Sequence, residues 1–394
     1  MSVIACERLL RPVVGFGTGL GSDTIVNFSA SVATSDSAPA PSTRMSAGLA
    51  SAPVAAPLGS SVAVGPTFQS MSRLAFGPDG VLYVADTSAA SIVALDLGTQ
   101  PGAAGTMDIP GIDAKIAALL GTDAKEIAVT DLAVHPKTRH SYLSVMRGTG
   151  ADAKPALLRV DGTGALSLVA MDALKFTMVA LPNPVPNAAT GRNNRSQAIT
   201  DMAFLDGRLY VAGLSNEEFS SKFWSLPYPF ASADTGTSVE IFHGAHGRLE
   251  TQSPVHSFVP TRVNGQPTLI AGYLCTPLVR FPVGDLKPGA KVLGTTIAEL
   301  GNGNRPIDMI LYKKDGKEFL LMSNTSRGVM KIATDNFGTQ TGITTRIADK
   351  AGIGYETITS MTGIEQLDLL DATHSIVLAR TSAGGLNLQA VVLP

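Results

Sequence analysis

The chain has 394 residues, 44% hydrophobic and 16% charged, and its 30 Lys and Arg against 32 Asp and Glu give a formal net charge of −2. That balance excludes a protein whose affinity for nucleic acid or an anionic membrane comes from bulk charge. No apolar run approaches the ~18 residues of a spanning helix, so a soluble chain is expected. Two cysteines exclude a disulfide framework, and 40 Gly with 24 Pro imply many turns.

The first residues, MSVIACERLLRP, carry charge where a secretory signal needs an apolar stretch. Val3-Ile4-Ala5-Cys6 matches a lipoprotein cleavage box but has no hydrophobic region before it. Residues 29–66 are rich in Ala, Ser and Pro, and such a composition cannot bury enough apolar surface to order itself. Residues 1–66 therefore read as an N-terminal strap or linker. Small residues, low charge and long loops suit an exported bacterial protein, so a periplasmic or secreted location is favoured over the cytoplasm.

From Met71 onward one pattern recurs: a short apolar strand, a turn, a second strand ending in small or polar residues, and a third strand. The copies are SRLAFGPDGVLYVADTSAASIVALDL (72–97), TDLAVHPKTRHSYLSVMRGTGADAKPALLRVD (130–161), TDMAFLDGRLYVAGLSNEEFSSKFWSL (200–226), VHSFVPTRVNGQPTLIAGYLCTPLVRFPV (255–283), IDMILYKKDGKEFLLMSNTSRGVMKIA (307–333) and IEQLDLLDATHSIVLARTSAGGLNLQAVVL (364–393). Pro78-Asp79-Gly80, Asp206-Gly207, Asn264-Gly265 and Asp315-Gly316 place turn signals at one position of four copies. Six copies average about 54 residues each, near the ~40–50 of propeller blades. A small sheet cannot bury both its faces alone, so the units must stack around an axis. The sequence predicts an all-β chain with a six-bladed β-propeller over residues 67–394; a seventh blade from residues 1–66 is the other count. The last copy lacks its outer strand, and residues 23–33 (DTIVNFSASVA) alternate, so an N-terminal strand is expected to close the ring. Ile112, Ile116, Leu119 and Leu120 recur at helical spacing before Gly121, predicting a helix that decorates the gap between the first two blades.

The phrases FGPDGVLYVAD and FLDGRLYVAG resemble the strand–turn–strand unit of NHL-repeat proteins and of gluconolactonase-type six-bladed propellers. Asn304-Arg305-Pro306-Ile307-Asp308, followed by Ser323-Asn324-Thr325-Ser326-Arg327-Gly328, is similar to a blade of the glucose/sorbosone dehydrogenase propellers. The likeness covers the blade skeleton. The Glu-Gly-Pro calcium-binding phrase of the gluconolactonases is absent, and the His base and basic set of the quinoproteins are not located, so no catalytic residue carries over from either family.

Alignment of the six innermost strands puts Arg73, Asp131, Asp201, His256, Asp308 and Glu365 in register. These six are expected to converge at the mouth of the central tunnel. Four carboxylates close together repel unless a cation sits among them. Arg73 and His256 offset part of that repulsion, and a metal held by Asp131, Asp201, His256, Asp308 and Glu365 would offset the rest: Ca²⁺ for oxygen ligands, Zn²⁺ if His256 coordinates. The other reading is structural, with each Asp accepting backbone N–H bonds from a neighbouring loop and fixing blade to blade. Loops on the same face bring Asn304, Arg305, Asn324, Arg327 and Cys275, which with Arg73 form a candidate set for a small polar or sugar-like ligand. His243-Gly-Ala-His246, with His256 ten residues later, has metal-ligand content but fits no established zinc spacing.

Three functions are open on this reading. One is a ligand-binding propeller, extending to a metal-assisted lactonase or esterase with Asp201, Asp308 or His256 as base. The second is an NHL-like scaffold that holds a protein partner on the loop face. The third is a quinone-dependent sugar dehydrogenase. No nucleic-acid partner and no membrane span is expected.

Overall fold

The computed structural model describes residues 65–98, 107–187, 194–275 and 277–394. The first repeat forms β1 (Leu74–Phe76), β2 (Val81–Asp86) and β3 (Ser91–Asp96), followed by β4 (Asp108–Ile109) and a helix, α1 (Ile112–Leu120). The second forms β5 (Ile127–Val134), β6 (Ser141–Arg147), β7 (Lys154–Val160) and β8 (Leu166–Leu168), and β9 (Phe176–Ala180) follows it. The third runs through β10 (Asp201–Leu205), β11 (Arg208–Leu214), β12 (Ser221–Pro227), β13 (Thr237–His243) and β14 (Arg248–Glu250). The fourth holds β15 (Ser257–Val263), β16 (Gln266–Gly272), β17 (Pro277–Pro282) and β19 (Thr295–Leu300), while β18 (Lys291–Leu293) pairs in parallel with β13 of the third. The fifth holds β20 (Pro306–Lys314), β21 (Lys317–Asn324), β22 (Gly328–Ala333) and β24 (Glu356–Ile358), while β23 (Lys350–Gly352) pairs with β19 of the fourth, and the sixth holds β25 (Ile364–Leu369), β26 (His374–Arg380) and β27 (Leu386–Val392).

The second strand of each repeat is a near-continuous apolar run because its sheet is covered on both faces. All six residues of β2, VLYVAD, are buried. Three of the first hairpins close through two residues at positive φ, Asp206-Gly207, Asn264-Gly265 and Asp315-Gly316. This is the paired left-handed geometry whose twist matches flanking antiparallel strands, and it explains the Asp-Gly and Asn-Gly dipeptides.

The strands make six small antiparallel sheets in a ring, a six-bladed β-propeller. Six apolar clusters each fill one interface between neighbouring sheets. They fix the order of the repeats around the ring as second, first, third, fourth, fifth, sixth, so the first repeat is inserted between the second and third. Two outer strands make this order possible. The first repeat receives β9 as its fourth strand, with Ile92 opposite Val179. The sixth receives β4, with Leu388 opposite Ile109.

Two sequence expectations change as a result. The fourth strand of the last blade is β4, from between the first two repeats, while residues 23–33 lie outside the described residues. The predicted helix forms over Ile112–Leu120, but Ile112 and Ile116 pack between the second and sixth repeats, because β4 has already carried the chain to the sixth. Among the described residues no helix is long and apolar enough to cross a membrane.

Candidate functional site

The innermost strands β1, β10, β15, β20, β25 and β5 surround the axis, and their first turns carry the charged residues picked out by register. Asp131, Asp201 and Asp308 lie together there with Arg73. The Arg73 guanidinium is 3.6 Å from Asp131 Oδ1 and feels the charges of Asp201 and Asp308 as well. Burial raises all three carboxyls above their ordinary range; Arg73 opposes that rise, and mutual repulsion between Asp131 and Asp308 adds to it.

Each of these carboxylates also ties two blades together. Asp201 accepts from the Met202 N–H at 2.8 Å and, across the junction, from the Phe258 N–H at 2.7 Å. Asp308 accepts from Met309 at 2.8 Å and Leu367 at 2.9 Å. Asp131 accepts from Leu74 at 2.7 Å. Asp368, which the sequence alignment missed, accepts from Leu369 at 2.7 Å and Val134 at 2.6 Å. Burial without a neutralising cation pushes its carboxyl up to about 6.

Glu365 does not join this group. It is the extra residue of a bulge between Ile364 and Gln366, the place that Thr130 and Ile307 hold in β5 and β20, so Gln366 stands level with Asp131 and Asp308 and Glu365 is one residue off that register. Glu365 instead forms a two-point ion pair with Arg380, whose Nη2 lies 2.9 Å from Oε2. His256 lies beside the ring. Burial and the positive charges of Arg305 and Arg73 hold its imidazole down at about 3, so it is neutral near pH 7, and its Nε2 is buried with no hydrogen-bond partner.

A cavity of ≈ 810 Å³ runs along the axis from these aspartates. Its walls are Leu74, Phe76, Leu132, Val134, Met202, Phe204, Phe258, Val259, Met309, Leu311, Leu367 and Leu369, with Arg139 and Asp206 near the rim. It opens beside Gly77-Pro78, Pro136 and Asp206-Gly207, the turns between first and second strands. The mouth was expected at the opposite end, on the loops between second and third strands. The acidic residues are thus the floor of an apolar funnel and not its rim. On the other face lies a separate hollow of ≈ 670 Å³ lined by Gln69, Ser88, Lys154 and Arg195 among others.

The remaining predicted ligand residues stay in that far loop cluster, and most serve the loops themselves. Asn304 is buried, donates from Nδ2 to Asn324 Oδ1 at 3.0 Å and accepts the Ser326 N–H. Asn324 donates to the Met322 carbonyl at 3.0 Å. Arg327 donates to the Asn302 carbonyl at 3.0 Å and lies 3.7 Å from Asp349. Arg305 is exposed, its backbone N–H donating to Thr325 Oγ1. Cys275, the last of the expected ligand residues, is buried and disulfide-bonded.

A second polar cluster lies off the axis, in the turn joining β13 and β14. Glu250 there is buried and accepts from His243 Nδ1 at 2.8 Å, His246 Nδ1 at 2.6 Å and Arg248 Nε at 2.9 Å. Burial would raise its carboxyl, but these three donors together hold it well below the usual range. Glu299 reaches the same turn, accepting the Gly244 N–H at 2.5 Å, and burial pushes it up to about 7.

No protein-family model matches the chain, and no curated protein matches it. Among solved structures, the chain is similar to one from Thermus thermophilus provisionally described as an oxidoreductase (glucose dehydrogenase), at 14% identity and a TM-score of 0.30, over 84% of this chain and 99% of that one. No ligand or reaction is carried over from it.

Proposed function

We propose that this protein binds a small amphipathic molecule in the axial cavity, with its hydrogen-bond-donating end, hydroxyl or ammonium, against the aspartate floor. The observation that carries this reading is the combination of apolar walls with three buried carboxylates and one guanidinium beneath them. The volume of ≈ 810 Å³ falls within the ~300–1,000 Å³ of small-molecule pockets, which are apolar with a few convergent polar groups. The walls favour burial of an alkyl or ring body at about 25 cal/mol per Å² removed from water. The floor accepts donors and repels a carboxylate. A sugar-like ligand fits this reading when it carries an apolar substituent.

Hexylammonium and hexanoate share one chain and differ in the sign of the head, so calorimetric titration of both tests the reading. Hexylammonium is expected to bind with about one equivalent and hexanoate at least tenfold more weakly. Ala203→Leu, which narrows the lining, is expected to weaken hexylammonium while the melting curve confirms folding. Equal binding of the two probes would refute the reading.

A second reading, with Ca²⁺ or Zn²⁺ among Asp131, Asp201, His256 and Asp308 and hydrolysis of an ester or lactone, is favoured by one feature. Three carboxylates against one guanidinium leave formal negative charge on the floor, and the neutral His256, whose buried Nε2 has no hydrogen-bond partner, offers a lone pair to a metal. Elemental analysis of protein purified without chelator, with melting curves with and without EDTA, decides it. About one equivalent of metal and an EDTA-sensitive melt would support this reading; no metal and superimposable melts would reject it.

A further inference from the structure

Away from the axis, a donor atom from each of His243, His246 and Cys275 lies within 4.8 Å of the other two. The imidazoles stand close together, their ring centroids 4.0 Å apart. Both direct Nδ1 to the Glu250 carboxylate, which fixes the tautomers: an Nδ1–H that donates to carboxylate leaves Nε2 with a lone pair. Both Nε2 atoms are buried and have no hydrogen-bond partner. Two buried acceptors without donors are costly, of order 1–3 kcal/mol each, and a native site keeps such groups where something binds them. A carboxylate holding the far nitrogen of a histidine is also the usual support of a metal-ligating imidazole.

We propose that His243, His246 and Cys275 form a redox-gated site for a borderline or soft transition-metal ion, such as Zn²⁺ or Co²⁺ as its probe. Two imidazole nitrogens and one thiolate are a donor set for Zn²⁺ or copper, and a poor one for Ca²⁺ or Mg²⁺. The gate is the disulfide. While Cys275 is oxidised its sulfur is a weak donor, and the site lacks its third strong ligand. A dithiol reductant delivers two electrons and two protons to the S–S bond and is itself oxidised to a disulfide. The Cys275 thiol then gives up its proton to solvent as the metal binds. The sequence has two cysteines, so Cys6→Ser leaves Cys275 as the sole cysteine of the chain, and no disulfide within the chain can form.

Tetrahedral bond lengths of ~2.0–2.1 Å to nitrogen and ~2.3 Å to sulfur require donors less than about 4 Å apart. Donors within 4.8 Å therefore close on an ion by small side-chain rotations. The Arg248 guanidinium, whose Nε lies 2.9 Å from Glu250 Oε1, helps hold that carboxylate in place beneath the two imidazoles.

The test uses full-length Cys6→Ser and oxidised wild-type protein titrated with Co²⁺. The expected result is about one equivalent of Co²⁺ in Cys6→Ser with a thiolate-to-cobalt charge-transfer band in the near ultraviolet, displaced by Zn²⁺, and no such band in oxidised wild type. Glu250→Gln is expected to weaken binding ~10–100-fold, the effect of losing an outer-shell partner. His246→Asn should abolish the band, and His374→Ala, half-buried at the start of β26 in the sixth blade, should leave it unchanged. Melting curves confirm that each variant is folded. Absence of the band in folded Cys6→Ser, its persistence in His246→Asn, or equal Co²⁺ affinity in the oxidised protein would overturn the proposal. Asp308→Asn, which alters the axial floor, should leave the band intact, so failure here is separable from failure of the axial reading.

Discussion

Asp368 gives the sharpest test of the axial architecture because its carboxyl is buried, faces two backbone donors and has no cation beside it. Its folded-state value of about 6 lies above the 3.8 of an unfolded Asp, so between those two values the folded protein holds a proton that the unfolded chain has lost. Stability from this group is therefore fully present below pH ~4 and is lost as the pH rises through about 6. The separation of about two units corresponds to about 3 kcal/mol at ~1.4 kcal/mol per unit. Replacement by Asn removes the titration and places an NH₂ against one of the two backbone donors, an additional pH-independent cost of about 1–3 kcal/mol. Urea denaturation of wild type and Asp368→Asn from about pH 4 to about pH 7.5 separates the two terms, since His256 and the other aspartates titrate in both proteins and largely cancel. The wild-type advantage should shrink by about 3 kcal/mol as the pH rises. A constant difference, or a wild-type advantage that grows with pH as for a salt-bridged carboxylate, would refute the burial argument.

Arg73→Met should destabilise the fold by about 3–5 kcal/mol at pH 8, where Asp131, Asp201 and Asp308 lose their counter-charge, and by less at pH 5, where the raised carboxyls take up protons; denaturation midpoints at the two pH values test this. Trp224, 1% exposed in the cluster between the first and third repeats, should cost about 3–5 kcal/mol as Trp224→Ala, read as a lowered urea midpoint with an unchanged slope. A cost below 1 kcal/mol would show that this interface does not hold the inserted first repeat.

The blades were legible because their signals are local. Asp206-Gly207, Asn264-Gly265 and Asp315-Gly316 mark turns whose backbone only those residue types adopt cheaply, and the apolar runs beside them mark doubly covered strands. The ring order was not legible, because it rests on β4 and β9, short segments whose partners β27 and β3 lie in other repeats. Register in the sequence finds Asp131, Asp201 and Asp308. In the sixth blade it selects Glu365, the extra residue of a bulge like those of β5 and β20, whereas Gln366 stands level with Asp131 and Asp308 and Asp368 lies two residues further along β25. The funnel was hidden for another reason: Leu74, Met202, Phe258 and Leu367 line the axis, yet their sequence pattern is that of any core strand. His243 and His246 were visible as metal-like content, but Cys275 and Glu250 reach them only through the fold.

The central claim is that the axial funnel receives a donor-bearing ligand, head down, and a crystal structure with bound hexylammonium tests it most directly. The ammonium nitrogen should lie within about 3 Å of a carboxylate oxygen of Asp131, Asp201, Asp308 or Asp368, with the chain between Phe204 and Leu367. Hexylammonium bound on the opposite face, or inverted with its chain against the aspartates, would contradict the account.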